Sequence, residues 1–319
     1  MRVVALAGGV GGAKLAAGLQ AVLAPGQLSV VVNTGDDLEV HGLLVCPDHD
    51  TVLYTLAGIA NAETGWGVSA ETWTVMDQLG RLGEETWFGL GDRDIATHLF
   101  RLERLRAGRR LTEVALELAA ALHVPSRILP MADEAVRTQV RTTDGWLDFQ
   151  EYFVHRQQEP AVHEIRFAGV DRARPTAEVE AALEAAELIV ICPSNPFVSV
   201  GPILAVPGFR EALAAARQRG VQVAAVSPIV AGRALKGPAD RMLASLGRDV
   251  SALGVAREYR DLVDLFVLDR ADAALVPAVA ELGLRVLATD TVMTDDATRA
   301  RLAREILAEA PLAADRGPA

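Results

Sequence analysis

The chain opens with MRVVALA, a short apolar run of β character, and passes at once into GGVGGAKLAAGLQAVL. Gly8, Gly9, Gly11 and Gly12 form a turn, and a helix-forming stretch follows. LSVVVN at 28–33 is a second buried run one helix later, so the N-terminal segment predicts a βαβ unit. Further strands are predicted in ELIVICPSNP at 187–196, VQVAAVSP at 221–228, DLFVLD at 264–269 and LRVLATD at 284–290. Helical patterns separate them, among them TAEVEAALEAA at 176–186 and GFREALAAARQRG at 208–220. Strand alternating with helix predicts an α/β fold: a Rossmann-like, doubly wound, mainly parallel sheet.

Two regions break that rhythm. Residues 51–125 carry no clear buried strand and read as an inserted helical subdomain, with ATHLFRLERLRAG and LTEVALELAAALHV as its helices. Residues 136–167 alternate as a small antiparallel β-extension: VRTQVRTTDGWLDFQEYF, with Asp144-Gly145 as a hairpin turn, then VHEIRF. Both are expected to stand above the carboxyl edge of the sheet and wall in a cleft, within a single nucleotide-binding domain over 1–319. The tail after Pro311 reads as frayed.

The glycine turn is the first chemical signal. Residues without side chains let the backbone approach a ligand, and the amides of a first helical turn favour an anion. The expected ligand is therefore a phosphate, with Lys14 adding a point charge. The string is not a Walker loop, because Lys14 is not followed by Ser or Thr. A dinucleotide fingerprint would place a third glycine where Lys14 stands, and no acidic residue ends the second strand in the ribose-binding position, so a dehydrogenase reading is weak.

Polar residues gather where the strands end, which is where open α/β sheets bind ligands. Asn33-Thr34-Gly35-Asp36-Asp37 ends the second strand, and Cys46-Pro47-Asp48-His49-Asp50-Thr51 follows. Asp36, Asp37, Asp48 and Asp50 are hard oxygen donors beside a predicted phosphate turn, which suits Mg²⁺. The competing use is capping, since Asp48 or Asp50 can cap a helix starting near Thr51. In Gly91-Asp92-Arg93-Asp94 the acids can likewise cap the next helix, whereas Arg93 is a fork-shaped donor to phosphate or carbonyl. His98 reads as either a phosphate donor or a satisfied core imidazole. Pro193-Ser194-Asn195-Pro196 is stiffened by its prolines and aims Ser194 and Asn195. A nucleophilic Ser194 lacks the G-x-S-x-G elbow, so its hydroxyl reads as a turn stabiliser. Trp66, Trp73 and Trp87 either stack on a planar ring or pack the helical region.

Composition narrows the partners. A length of 319 residues with 50% hydrophobic content allows a large core. A net charge of −11 argues against duplex DNA or long RNA. Cys46 and Cys192 are too few for a disulfide framework or a zinc cluster and are expected to be reduced and buried. The N-terminal apolar run is too short for a signal peptide, and no uninterrupted apolar stretch has membrane-spanning length. The expectation is a cytoplasmic protein with no membrane partner.

Together the strings GGVGGAK at 8–14, NTGDD at 33–37, CPDHDTVLYTL at 46–56, GLGDRDIATHL at 89–99, ILPMADE at 128–134, FQEYFV at 149–154, PSNPFVSVGPIL at 193–204 and SPIVAG at 227–232 resemble one family in its order. It is the 2-phospho-L-lactate transferase (CofD) family of coenzyme F-420 biosynthesis. The resemblance implies a Mg²⁺-dependent, redox-neutral transfer. A phospholactyl or phosphoenolpyruvyl group passes from a guanosine diphosphate ester to the ribityl 5′-hydroxyl of the deazaflavin Fo, and GMP leaves. It implies deazaflavin contacts at Asp50 and Arg93, metal at Asp36, Asp48 and Asp50 with Asp37 in reserve, and a homodimer. Gly8, Gly9, Gly11, Gly12, Lys14, Asn33, Thr34, Asp92, His98, Ser194 and Asn195 are the expected substrate contacts. A second reading comes from a related group that shares the glycine-rich start. It is a non-catalytic, nucleotide-sugar-binding regulator of the gluconeogenesis-factor type, against which GDRDIATH and CPDHDT speak.

Overall fold

A computed structural model describes residues 1–309; the tail expected to fray lies outside the described residues. Apolar β-branched runs make the strands and glycine or proline ends them. In chain order the strands are β1 (Val3–Ala7), β2 (Leu28–Val32), β3 (Leu38–Val40), β4 (Leu43–Val45), β5 (Arg127–Pro130), β6 (Arg137–Thr142), β7 (Gly145–Asp148), β8 (Glu164–Ala168), β9 (Leu188–Ile191), β10 (Gln222–Val226), β11 (Ile229–Val230), β12 (Arg233–Ala234), β13 (Leu265–Asp269) and β14 (Arg285–Thr289). The helices that bear on the site are α1 (Gly9–Val22), α2 (Pro47–Leu56), α3 (Thr74–Arg81), α4 (Asp92–Arg106) and α5 (Leu111–Ala121).

Seven strands form the central sheet in the order β14-β13-β10-β9-β1-β2-β5, every pair parallel. Alternate residues of β1 enter two separate cores. Val3, Ala5 and Ala7 pack with Leu15 and Leu19 of α1, Val52 and Leu53 of α2, Val114 and Leu118 of α5, and Leu302 and Ile306 of the helix Asp296–Glu309. Val4 and Leu6 pack on the other face with Val179, Ile203, Phe209, Leu213 and Val255. Helices thus cover both faces, the condition under which a parallel sheet is stable. The chain runs outward from β1 through β2 to β5, then returns to the other side of β1 at β9. The crevice at the carboxyl ends of β1 and β9 is therefore the topological switch point.

Three differences from the sequence reading have local causes. Strand β5 is a seventh member of the sheet, placed where no strand was expected. It is a four-residue edge strand beginning with Arg and ending with Pro130, too short to show a period, and proline is tolerated at an edge. Residues 38–45 fold as the hairpin β3–β4, turned at His41 (φ 50°) and Gly42 (φ 76°), a pair of left-handed residues that matches strand twist. The alternation expected through Phe153 stops at Asp148, and residues 149–155 turn helically. That spacing puts Phe149, Tyr152 and Phe153 on one side, against Val140, Val198 and Met242.

The β-extension is the sheet β7-β6-β8, with Thr143-Asp144 in the turn and Gly145 (φ 104°) opening β7. Within 51–125, α5 packs on the main core. Met76 of α3 and Ile95 of α4 instead join Val45 and Leu90 in a smaller cluster beside the cleft. Cys46 and Cys192 are both buried and free. No helix among the described residues is long and apolar enough to cross a membrane.

Candidate active site

A cavity of about 390 Å³ opens at the switch point. Its floor is Gly8, Gly9 and Gly11, its acidic side Asp36, Asp48 and Asp50, and its far wall Pro193, Asn195 and Ser199. Tyr54, Trp66, Phe88, Phe149 and Phe153 add aromatic faces to its lining.

The glycines are needed for close approach. A Cβ on Gly11 would lie 2.3 Å from the Pro193 carbonyl oxygen, and one on Gly8 would lie 2.5 Å from Asp48 Oδ2. The turn is also held by side chains. Ser194 Oγ donates to the Gly8 carbonyl (2.8 Å) and accepts from its N–H (3.2 Å), so Ser194 joins the ends of β1 and β9. Asp48 Oδ1 accepts from the Gly9 N–H (2.7 Å), and Oδ2 accepts from Asn33 Nδ2 (2.9 Å). Asn33 in turn donates to the Val198 carbonyl and accepts from the Gly35 N–H. Two amides of the glycine turn therefore have protein acceptors, and the cavity floor is clipped to the acidic side. Asn195 lines the cavity while its Oδ1 accepts from the Phe197 N–H.

α2 begins at Pro47 rather than near Thr51, because proline is pre-set for the first helical position. Asp48 and Asp50 thus fall in its first turn, and neither caps it. Their surroundings differ sharply. Burial pushes Asp48 up to about 6, against the pull of hydrogen bonds from Asn33 and Gly9. Burial, then the neighbouring Asp48 charge, pushes Asp36 well above the carboxylate range. One oxygen of Asp36 has no hydrogen-bond partner. Burial alone would push Asp50 up as well, but the Arg101 guanidinium outweighs it and holds Asp50 below the carboxylate range. Arg101 is 1% exposed and donates to Asp50 Oδ1 through Nη2.

The set Asp36 and Asp48 fits a divalent ion: buried, adjacent, oxygen-bearing, and without a cation of its own. Asp50, Asp94 and His98 also bring ligand atoms within 4.8 Å of one another. There, however, Arg101 already bonds both Asp50 and His98 Nδ1 and fills the cation's place.

Several expected contacts lie elsewhere. Asp37 is buried behind the cavity, pushed up to about 7 by burial despite Arg137. It shares a separate hollow with Thr34. Lys14 Nζ donates to the Met293 carbonyl (2.9 Å), away from the cavity lining. Arg93 is exposed, and its guanidinium donates to the Ser69 carbonyl (3.1 Å). Asp92 accepts from the N–H groups of Thr74 and Val75, so it caps α3 rather than the helix it begins. His98 is fully buried between Asp50 and Asp94 and does not line the cavity.

Other residues take their places. Lys236, two residues beyond β12, lines the cavity and donates to the Thr64 carbonyl. Tyr54, Asp94, Phe88, Phe149 and Phe153 line the cavity as well, outside the sequence expectation. The available signal was spacing: Asp50 and Tyr54 are four apart, as are Phe149 and Phe153. Trp66 lines the cavity, whereas Trp87 stacks on His155 with centroids 5.0 Å apart and Trp73 is 43% exposed.

A model of the family "2-phospho-L-lactate transferase CofD" matches residues 3–307. A phosphoenolpyruvate transferase of Kitasatospora aureofaciens is 44% identical over 315 residues, covering 97% of each chain. A 2-phospho-L-lactate transferase of Methanosarcina mazei is 39% identical, covering 95% of this chain and 98% of its own. Among solved structures, a UPF0052-family protein of Bacillus halodurans superposes with a TM-score of 0.60 at 17% identity over 96% of this chain and 98% of its own, a likeness of fold.

Proposed function

We propose a specific transfer reaction on the premise that this chain belongs to the 2-phospho-L-lactate transferase CofD family. The chain is a transferase of coenzyme F-420 biosynthesis, and the regulatory alternative is not favoured. In our reading it moves a phosphoenolpyruvyl or 2-phospholactyl group from a guanosine diphosphate ester to the ribityl 5′-hydroxyl of the deazaflavin Fo. The hydroxyl oxygen bonds to the donor's distal phosphorus. The diphosphate P–O bond breaks, and GMP leaves with the bridging oxygen, which takes up the proton that the hydroxyl releases. We take the enolpyruvyl ester as the donor, because the relatives that match at 42–44% identity are named phosphoenolpyruvate transferases. A cytoplasmic homodimer belongs to the same proposal.

The observation that carries this reading is one cavity lined both by aromatic rings and by buried carboxylates beside the glycine turn. Phe88, Phe149, Phe153 and Trp66 suit a planar, tricyclic ring, which aromatic faces bind by stacking. The missing side chains of Gly8, Gly9 and Gly11 leave room for phosphate oxygens to approach the N-terminus of α1, with Lys236 as the nearby cation. Asp36 and Asp48 would hold Mg²⁺, which supplies charge neutralisation to a diphosphate and its leaving group. Asp50 faces the cavity as an ionised acceptor of weak basicity, so its role is to orient the attacking hydroxyl.

The test mixes purified protein, Fo, Mg²⁺ and each donor ester, and identifies the deazaflavin product by mass. Asp50→Asn should lower kcat by about 10²-fold, the cost of a misplaced reacting group. Undiminished turnover by that variant removes Asp50 from the mechanism. Absence of product with both donors overturns the reaction proposed.

A further inference from the structure

Arg101 is the largest fully buried side chain, and it is a charged one. It lies seven residues beyond Asp94 and three beyond His98, so the three share one face of α4. That face meets Asp50 and Tyr54, four apart on α2. Arg101 Nη1 donates to the Leu44 carbonyl (3.0 Å) and to His98 Nδ1 (3.0 Å), while Nη2 bonds Asp50 Oδ1. A guanidinium can only donate, so Nδ1 accepts and the ring proton sits on Nε2, which lies 3.4 Å from Asp94 Oδ1. Asp94 Oδ1 accepts from the Tyr54 hydroxyl (2.6 Å), and both residues line the cavity.

We infer that Arg101 is a positioning residue for the transfer and acts through Asp50, whose carboxylate it locks in one plane at the cavity wall. The inference rests on the reading that Asp50 orients the acceptor hydroxyl. A carboxylate has about four lone-pair sites. Arg101 takes one on Oδ1, and the Cys46 N–H approaches Oδ2 at 3.4 Å. The guanidinium is fixed in turn by Leu44 and His98, so it cannot follow Asp50 if the carboxylate rotates. The remaining lone pairs keep a single direction for an incoming hydroxyl. A small error in that direction is costly, since a misplacement of about 1 Å can cost roughly 10²-fold in rate.

Steady-state kinetics of the full chain with Fo, the donor ester and Mg²⁺, paired with thermal unfolding, test the inference on Arg101→Lys, Arg101→Met, Asp50→Asn and the double variant. Arg101→Met should lower kcat by about 10²-fold with the donor KM within about threefold of wild type. Arg101→Lys, which keeps the charge but not the fork, should recover part of that loss. In the Asp50→Asn background, Arg101→Met should cost nothing further, and the double variant should melt above Arg101→Met because no buried carboxylate is left unpaired. Should Arg101→Met fail to fold, Arg101→Lys and the double variant decide the matter. A wild-type kcat in Arg101→Met, or an undiminished further loss in the Asp50→Asn background, overturns the role of Arg101. Full activity in Asp50→Asn overturns the reading of Asp50 itself, and the inference with it.

Discussion

Asp48 and Asp50 stand two residues apart in the first turn of one helix, equally buried, yet their acidities move in opposite directions. Asp50 has a guanidinium of its own. Asp48 has only neutral donors, Asn33 and Gly9, and an acidic neighbour in Asp36. Burial penalises the charged form of each carboxylate, and only a partner cation reverses the sign. The protein has thus supplied a permanent cation to one side of the pair and left the other to be neutralised by something that binds. That contrast separates a carboxylate with a resident cation from those without one, which residue type could not do.

The contrast is broken most severely by neutralising the uncompensated side. Asp36→Asn should abolish the Mg²⁺ dependence of turnover and lower kcat by about 10²-fold or more, in line with the several kcal/mol assigned to such ions. A variant that still needs Mg²⁺ at wild-type concentration would move the metal elsewhere. Acidity gives a medium-sized test. Asp48 is raised from 3.8 to about 6, so the folded protein holds a proton that the unfolded chain has released across that window. Stability from this group is present below the window and lost as pH rises through it. Without divalent ions, thermal unfolding should show that fall, and Asp48→Asn should make it shallower, with Asp36 and Asp37 still contributing. Added Mg²⁺ should raise the melting temperature more at pH 7.5 than at pH 5, and equal shifts at both would contradict the assignment. The smallest effect is expected at Arg93. Its side chain is exposed and engaged with the Ser69 carbonyl, so Arg93→Ala should leave kcat and the Fo KM within about threefold. A large rise in the Fo KM would show that Arg93 swings into the cavity when the acceptor binds.

Much of this protein was legible in its residue order because the responsible physics is local. Continuous apolar runs separated by amphipathic helices set the α/β fold, and the glycine turn after β1 marked the mouth of the site. The loop strings carrying Asp36, Asp48, Asp50 and Asn195 were found because they end strands, and strand ends converge in such a sheet. Strand β5 was lost because a short edge strand has no period to detect.

What the chain determined alone was the alternation of the main strands and helices and the turn after β1, and hence that the glycine turn and the acids share one edge. Tertiary structure alone decided which charges meet. Arg93 and Arg101 are both arginines of α4, and residue type does not tell them apart. The turn of the helix sends one to solvent and the other to Asp50, fifty-one positions earlier in the chain. Electrostatic pairing depends on distance through space and on exclusion of water, and neither is written in spacing along a sequence.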